Sequence, residues 1–299
     1  MPMSASCARS WTLAPAVALA MASLAAGTSA QPPGETEALL GKVGARIAEF
    51  YKRAQSLVCT EKVTAQPVGS DRSPSGFGRV LEYELRIEAD ATDGEAPSDA
   101  RVVRELLKVN GRKPRAQESK TNDSCLDPNP LSPEPLSFLL PGQRDAYLFK
   151  WIGPGKGKDK NAFILEYRPR ETSKAEFLED REGRSDCFQI SLPAERTGRL
   201  WIDAGTFDVL RLEQHLTAPV DIRVPFVQQR RRHLPDSLVV DRFDWTIEYK
   251  PVSFTNPAEI ILLPDTIQQL VLMRGAQSHY RRQVFTNYRR FLTAGRVVK

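Results

Sequence analysis

The sequence predicts a mainly β fold: a strongly curved antiparallel sheet, or half-barrel, covered by an N-terminal amphipathic helix and a short middle helix. Three observations carry this expectation. Apolar and polar residues alternate with a period of two through most of the chain. Only one long segment, 35–54, repeats its apolar residues at three- and four-residue steps. Strands and helices do not alternate in the order that would signal a parallel sheet.

The helix comes first. Leu39, Leu40, Val43, Ile47, Phe50, Tyr51 and Ala54 form its apolar stripe, and Lys42, Arg46, Glu49 and Arg53 lie elsewhere around it. Gly41 and Gly44 weaken it but let a sheet approach closely. A stripe of this kind is unstable in water and has to pack on the sheet. Ser56–Val68 is the first strand, followed by a Gly/Pro-rich loop, 69–78. Arg79–Glu88 places Leu81, Tyr83, Leu85 and Ile87 on one face, and Arg101–Val109 ends at a hairpin signal, Asn110-Gly111. Residues 112–142 read as an insertion, either packed on the core or a movable plug. Ser132-Pro133 is a helix start, giving one or two turns that end at Pro141-Gly142. Ala146–Trp151 and Ala162–Tyr167 make a hairpin. The charged stretch 169–185 reads as a solvated loop or a short surface helix, and Cys187–Leu192 as a return to the sheet.

The plainest hairpin is 198–216, GRLWIDAGTFDVLRLEQHL. Gly198–Ile202 is one strand and Thr206–Leu216 the other. Asp203–Thr206 is the turn, with Gly205 free to take positive φ and the Asp203 carboxylate placed to accept N–H bonds two residues on. After Thr217 the chain reads as a proline-marked loop with a basic cluster, Arg230–His233. Val239–Tyr249 is the strongest strand, with Phe243, Trp245, Ile247 and Tyr249 on one side. Ile260–Leu263 and Ile267–Met273 read as two short runs interrupted at Pro264-Asp265, and Ser278–Leu292 closes the chain.

The chain has 299 residues and a formal charge of +5. Residues 211–299 hold 14 Lys and Arg against 8 Asp and Glu, so the basic character belongs to the last third. Anionic lipid surfaces, acidic partners or a solvated face would each account for it. Residues 1–30 have the layout of an export signal: Arg9, the apolar run Trp11–Ala26, then a small-residue site at Thr28–Ala30. The expected product is a periplasmic or secreted protein with one domain over 31–299 and no transmembrane segment. Cys59, Cys125 and Cys187 remain, an odd number, so one disulfide leaves one thiol. Three pairings are open. Cys125–Cys187 is favoured because it ties two loop-flanking segments across the middle insertion.

Candidate chemistry is thin. The three histidines, His215, His233 and His279, form no metal-ligand spacing, and no nucleophile elbow or phosphate loop occurs. The expectation is a non-enzyme without metal or cofactor. Arginine–aromatic interleaving in the last strand has the residue types that bind single-stranded nucleic acid, but an exported protein is not expected to use it so. Arg281, Arg289 and Arg290 are instead either ordinary pairs with carboxylates of neighbouring strands or candidate headgroup contacts. Trp201, Phe243, Trp245 and Tyr249 are candidate lining for an apolar ligand. The strand pattern leaves two options open, a filled near-barrel or an open concave side.

The helix, the antiparallel run and the late hairpin together resemble the periplasmic lipoprotein-carrier (LolA/LolB-like) superfamily. The specific residues are Gly198–Asp203, Thr206 and Val209–Leu212, with Phe285–Phe291 a looser match. The resemblance implies a curved half-barrel with a cavity for acyl chains, and a carrier or binding role for a lipid or lipoprotein. The alternative is an envelope scaffold domain that meets another protein. The unmatched middle, 112–190, sets this chain apart from a minimal carrier.

Overall fold

A computed structural model describes residues 33–53, 57–88, 101–115, 135–170, 174–179, 187–192 and 196–290. The expected signal, Cys125 and the Ser132-Pro133 helix start lie outside these. Gln31–Lys299 forms one compact unit.

Helix α1, Pro33–Arg53, starts on a proline, which the first turn tolerates. The strands that follow are β1 (Leu57–Val68), β2 (Arg79–Glu88), β3 (Arg101–Val109), β4 (Tyr147–Pro154), β5 (Ala162–Pro169), β6 (Glu176–Glu179) and β7 (Phe188–Ser191). Then come β8 (Arg196–Asp203), β9 (Val209–Leu216), β10 (Val220–Arg223), β11 (Ser237–Thr255), β12 (Ala258–Arg274) and β13 (Ser278–Arg290). Two short helices complete the set, α2 (Pro141–Arg144) and α3 (Phe226–Arg232). The main sheet runs β3-β2-β1-β13-β12-β11-β9-β8-β5-β4, with β10 added to β11, and its pairings are antiparallel. Its end strands β3 and β4 are not joined to each other among the described residues, so the sheet is open.

The curvature follows from the core. Leu39, Leu40, Val43, Ile47 and Tyr51 of α1 share one buried cluster with Leu85, Cys59, Phe285, Ile267, Ile247, Leu212, Leu200 and Leu165. Those eight sheet residues come from eight successive strands, which would span roughly 34 Å if flat. A single cluster gathered around a helix about 10 Å across holds them all only if the sheet wraps around it. The expected half-barrel under its helix is thus the structure observed.

Charge locks the helix to the hairpin turn. Arg46 Nε and Nη2 bond the two Asp208 carboxylate oxygens at 2.5 and 3.3 Å. The Asp208 hydrogen bond raises the Arg46 pKa above its ordinary value. Lys42 Nζ lies 4.8 Å from the centre of the Phe207 ring. The Asp203 carboxylate accepts from the N–H groups of Gly205 and Thr206 at 2.9 and 2.8 Å, as the turn chemistry predicts. Positive φ falls on Phe207 (62°) instead of Gly205. Holding that aromatic ring against the core is what the strained backbone achieves.

Several elements differ from expectation. The middle segment does not end at Pro141-Gly142: a 3₁₀ turn spans Ser137–Leu139, and α2 begins at Pro141. Leu136, Phe138, Leu139 and Leu140 are all buried in the main core. Gly44 admits this segment, not the sheet, since a Cβ there would sit 3.0 Å from the Leu139 carbonyl oxygen. Cys187–Leu192 does not rejoin the main sheet, and the charged stretch before it is not wholly loop. Glu176–Glu179 and Phe188–Ser191 pair as a separate ribbon, β6–β7, whose Phe177 and Phe188 rings stack at 4.8 Å. The ribbon needs one apolar face, and Phe177 with Ile190 supplies it. The proline-marked loop contains β10, where buried Val220 and Ile222 alternate with exposed Asp221 and Arg223, and then α3.

The two apolar runs at 260–273 are one strand. Its register steps so that Glu248 pairs Thr266 and Tyr249 pairs Pro264, leaving Asp265 as an extra residue. A bulge is where a strand interior accepts proline. Lys250 Nζ holds the bulged Asp265 carboxylate at 2.6 Å. A second irregularity, at Asn287 (φ 55°), shifts the β1–β13 register, so both Phe285 and Tyr288 pack on the core side.

Gly198 shows why the hairpin motif opens on glycine. Its Cβ would lie 2.3–2.5 Å from Tyr167 ring atoms, so that ring fills the space of the missing side chain. Gln214 Nε2 donates to the Tyr167 hydroxyl at 2.7 Å and fixes the ring in place. Gly198→Ala is expected to lower stability by about 1–3 kcal/mol through this overpacking, measured by urea unfolding, whereas Arg199→Ala on the exposed face changes it little.

Candidate functional site

The inner face of the sheet is aliphatic at its centre and aromatic at its margin. Leu165, Leu200, Leu212, Ile247 and Ile267 are 0 or 1% exposed beneath α1. Around them Tyr147, Phe149, Trp151, Phe163, Trp245, Tyr249 and Tyr288 are only partly buried. Alternation along β4 sends Tyr147, Phe149 and Trp151 to the same side, opposite Tyr167 and Leu165 on β5. Phe138 from the middle segment stacks into this group, with its ring centre 4.6 Å from that of Tyr167 and 5.0 Å from that of Tyr147. Trp151 and Phe163 meet at 5.0 Å.

The Tyr249 hydroxyl has no hydrogen-bond partner among the described residues although it is buried. Burial, with the Tyr51 and Tyr167 hydroxyls nearby, pushes its pKa well above the ordinary tyrosine value. By contrast, Tyr51 accepts the Leu136 N–H at 3.1 Å, and Tyr288 donates to the Pro264 carbonyl at 2.6 Å. An unmet buried hydroxyl beside half-open rings is the feature most like a ligand contact.

The inner face also holds a polar cluster on β1, β3 and β13. Arg104 Nε donates to Glu61 Oε2 at 2.8 Å, and its Nη2 contacts Glu61 Oε1. Gln283 Nε2 donates to Glu61 Oε1 at 2.7 Å. The Arg104 guanidinium lies 4.7 Å from the Tyr83 ring centre. The Glu61 side chain is 0% exposed and that of Arg104 is 7%. So enclosed a pair adds little over apolar packing, yet leaving either charge alone costs about 3–5 kcal/mol. Burial pushes the Cys59 thiol up to about 12, which keeps it protonated and unreactive.

The candidate residues fall into separate places. Trp245 packs against both the main core and a second cluster under the β6–β7 ribbon, and Phe243 belongs to that second cluster. Tyr249 lies beside α1. Trp201 is on the opposite face: its neighbour Leu200 points inward, and the Arg211 guanidinium covers its ring at 3.7 Å. Arg211 is held in turn by Asp159 at 3.0 Å. Of the three arginines, Arg281 faces inward and contacts Gln269. Arg289 faces outward to Glu84 at 3.3 Å. Arg290 binds Glu259 at 2.5 Å and the Arg53 carbonyl at 2.7 Å near the end of α1. Eight residues along a strand separate Arg281 from Arg289, about 26 Å. The structure does not gather these arginines into one headgroup site. Cys187 is disulfide-bonded and Cys59 is free. No metal-holding group of three His, Cys, Asp or Glu occurs among the described residues.

No protein-family model matches the chain, and no curated protein does. The chain is similar to solved structures at low identity. One is an outer membrane lipoprotein-sorting protein domain from Vibrio parahaemolyticus, at 10% identity and TM-score 0.34, covering 84% of this chain and 93% of that one. A LolA superfamily protein from Nitrosomonas europaea matches at 11% and 0.32, covering 86% and 97%. A DUF1329 family protein from Desulfovibrio piger matches at 12% and 0.35, covering 87% and 93%. Identities and scores this low transfer no residue's role and no ligand.

The β4 aromatics and Tyr167 were not among the sequence-derived candidates. Their signal was present, since Tyr147, Phe149 and Trp151 alternate in sequence. That they flank a helix only partly covering them is a tertiary fact.

His279 sits on the inner face beside Arg281, and burial together with that positive charge lowers its pKa to about 4. Its unfolded value is near 6.5. The unfolded chain therefore takes the proton first, so stability from neutral His279 is full above about pH 6.5 and is lost as pH falls toward 4. Urea unfolding is expected to show about 1–2 kcal/mol lost between about pH 6.5 and 5, and His279→Asn flattens that slope.

Proposed function

We propose that the protein is an exported carrier or binding module for a hydrophobic ligand, such as a lipid or a lipoprotein acyl chain. The observation that carries this reading is the aromatic margin of the inner face, left half-open beside α1. Trp245, Tyr249, Phe149, Trp151 and Phe163 would line the ligand. The unmet Tyr249 hydroxyl would meet its carboxyl or ester oxygen. Phe243 would lie farther along, beneath the ribbon. Arg281 is the one proposed headgroup arginine on this face. Arg289 and Arg290 are engaged elsewhere by Glu84 and Glu259, and Trp201 would serve the outer face.

Export over the 1–30 signal, into a periplasmic or extracellular setting, is supported by the disulfide at Cys187, which needs an oxidising compartment. Cys125 is its proposed partner. No described helix is long and apolar enough to cross a membrane. One observation favours the second reading, an envelope scaffold: among the described residues β3 and β4 each pair on one side only, leaving edges on which another chain could add a strand.

The test is binding of the fluorescent fatty acid cis-parinaric acid. A Kd tighter than about 10 μM is expected, weakened at least five-fold by Trp151→Ala or Tyr249→Leu and unchanged by Trp201→Leu. No binding, together with native mass spectrometry showing only unliganded protein, would contradict the carrier reading.

A further inference from the structure

Three of the four largest apolar exposures among the described residues cluster at one end of the sheet, the fourth, Ile260 at 60%, lying near the other end of β12. Phe77 is 100% exposed, Phe226 67% and Val227 69%. Phe77 lies in the loop between β1 and β2. Phe226 and Val227 open α3, between β10 and β11. The register places these connections on one rim: Val68 at the end of β1 pairs Ser278, and Val239 at the start of β11 pairs Arg274, on either side of the β12–β13 turn. Three strand spacings separate β1 from β11, roughly 14 Å.

The rim is positively charged. Across residues 69–79 and 220–236 six arginines face three aspartates. One of these, Asp71, is engaged by Ser73 within its own loop. Arg72, Arg230 and Arg231 are exposed, and none of them has an ion-pair partner among the described residues. The Arg230 guanidinium lies 5.8 Å from the Phe226 ring centre. The basic cluster is held outward from below: Gln228, buried, donates to Glu179 of the ribbon at 2.6 Å and accepts from Arg232 Nε at 2.8 Å. Two separate apolar tips set among unpaired arginines do not make the contiguous greasy patch of a protein interface. They match the chemistry of an interfacial contact, in which rings enter the headgroup–acyl boundary and guanidinium groups meet anionic headgroups.

We propose that this rim docks the protein on an anionic lipid surface, with Phe77 and Phe226 inserted and Arg72, Arg230 and Arg231 on the headgroups. The inference stands apart from the inner-face site and does not need it.

The test is flotation of the Gln31–Lys299 unit with vesicles of phosphatidylcholine containing about one-third phosphatidylglycerol, against phosphatidylcholine alone. Binding is expected only to the anionic vesicles, and to weaken as salt screens the charges. Phe77→Ser with Phe226→Ser, or Arg230→Gln with Arg231→Gln, is expected to weaken it at least ten-fold. These positions are exposed, and an unchanged thermal unfolding curve confirms that the variants fold. Phe226→Trp gives a second readout, with its emission shifting to the blue only when anionic vesicles are added. Absence of flotation, equal binding to neutral vesicles, or binding untouched by both pairs of substitutions would overturn the proposal. So would concentration-dependent self-association that Phe226→Ser abolishes while no vesicle binding is seen.

Discussion

One helix has to satisfy the inner face of eight strands, and the rest of the architecture follows from that demand. The apolar stripe of α1 is about five residues deep, from Leu39 to Tyr51. A flat sheet would leave most of its inner side chains in water, so the sheet curls until the strands at its middle and flanks reach the same stripe. The Arg46–Asp208 pair and Lys42 over Phe207 then fix where along the sheet the helix sits. Gly44 lets the Leu136–Leu140 segment wedge in beside it.

This arrangement covers the centre better than the edges. Aliphatic side chains fill the space directly beneath the helix, and rings occupy the ground it does not reach. Toward β4 the chain supplies Phe138 from the middle segment as a partial cover. Beyond Trp245, the β6–β7 ribbon covers Phe243 and Val271. Toward the β3 edge the inner face turns polar, with Glu61 bonded to both Arg104 and Gln283. These groups are enclosed, so each has to find its partner within the protein.

Much of the fold was legible in the sequence because period-two patterning survives wherever one face is wet. Arg79–Glu88 and Val239–Tyr249 are clear for that reason. Elements stabilised only by distant contacts were not. Val220–Arg223 is too short to show a period, and Glu176–Glu179 is hidden by charge until Phe177 finds Ile190. Pro264 read as a break because a bulge depends on the partner strand. The site was half legible. Trp245 and Tyr249 were placed on the inner face by parity. Trp201, also named as lining, lies on the outer face, because its even-numbered neighbours Leu200 and Ile202 claim the inside. Parity carried from Arg281 to Arg289 also fails, since Asn287 shifts the register between them.

The central claim is that an acyl chain lies along the inner-face aromatics. Quenching of tryptophan emission by a brominated fatty acid tests it most directly, because bromine quenches only rings it touches. Variants retaining one tryptophan each would be compared. The account predicts strong quenching for Trp151 and Trp245 and almost none for Trp201, which Arg211 covers on the outer face. Equal quenching of all three, or quenching of Trp201 alone, would contradict it.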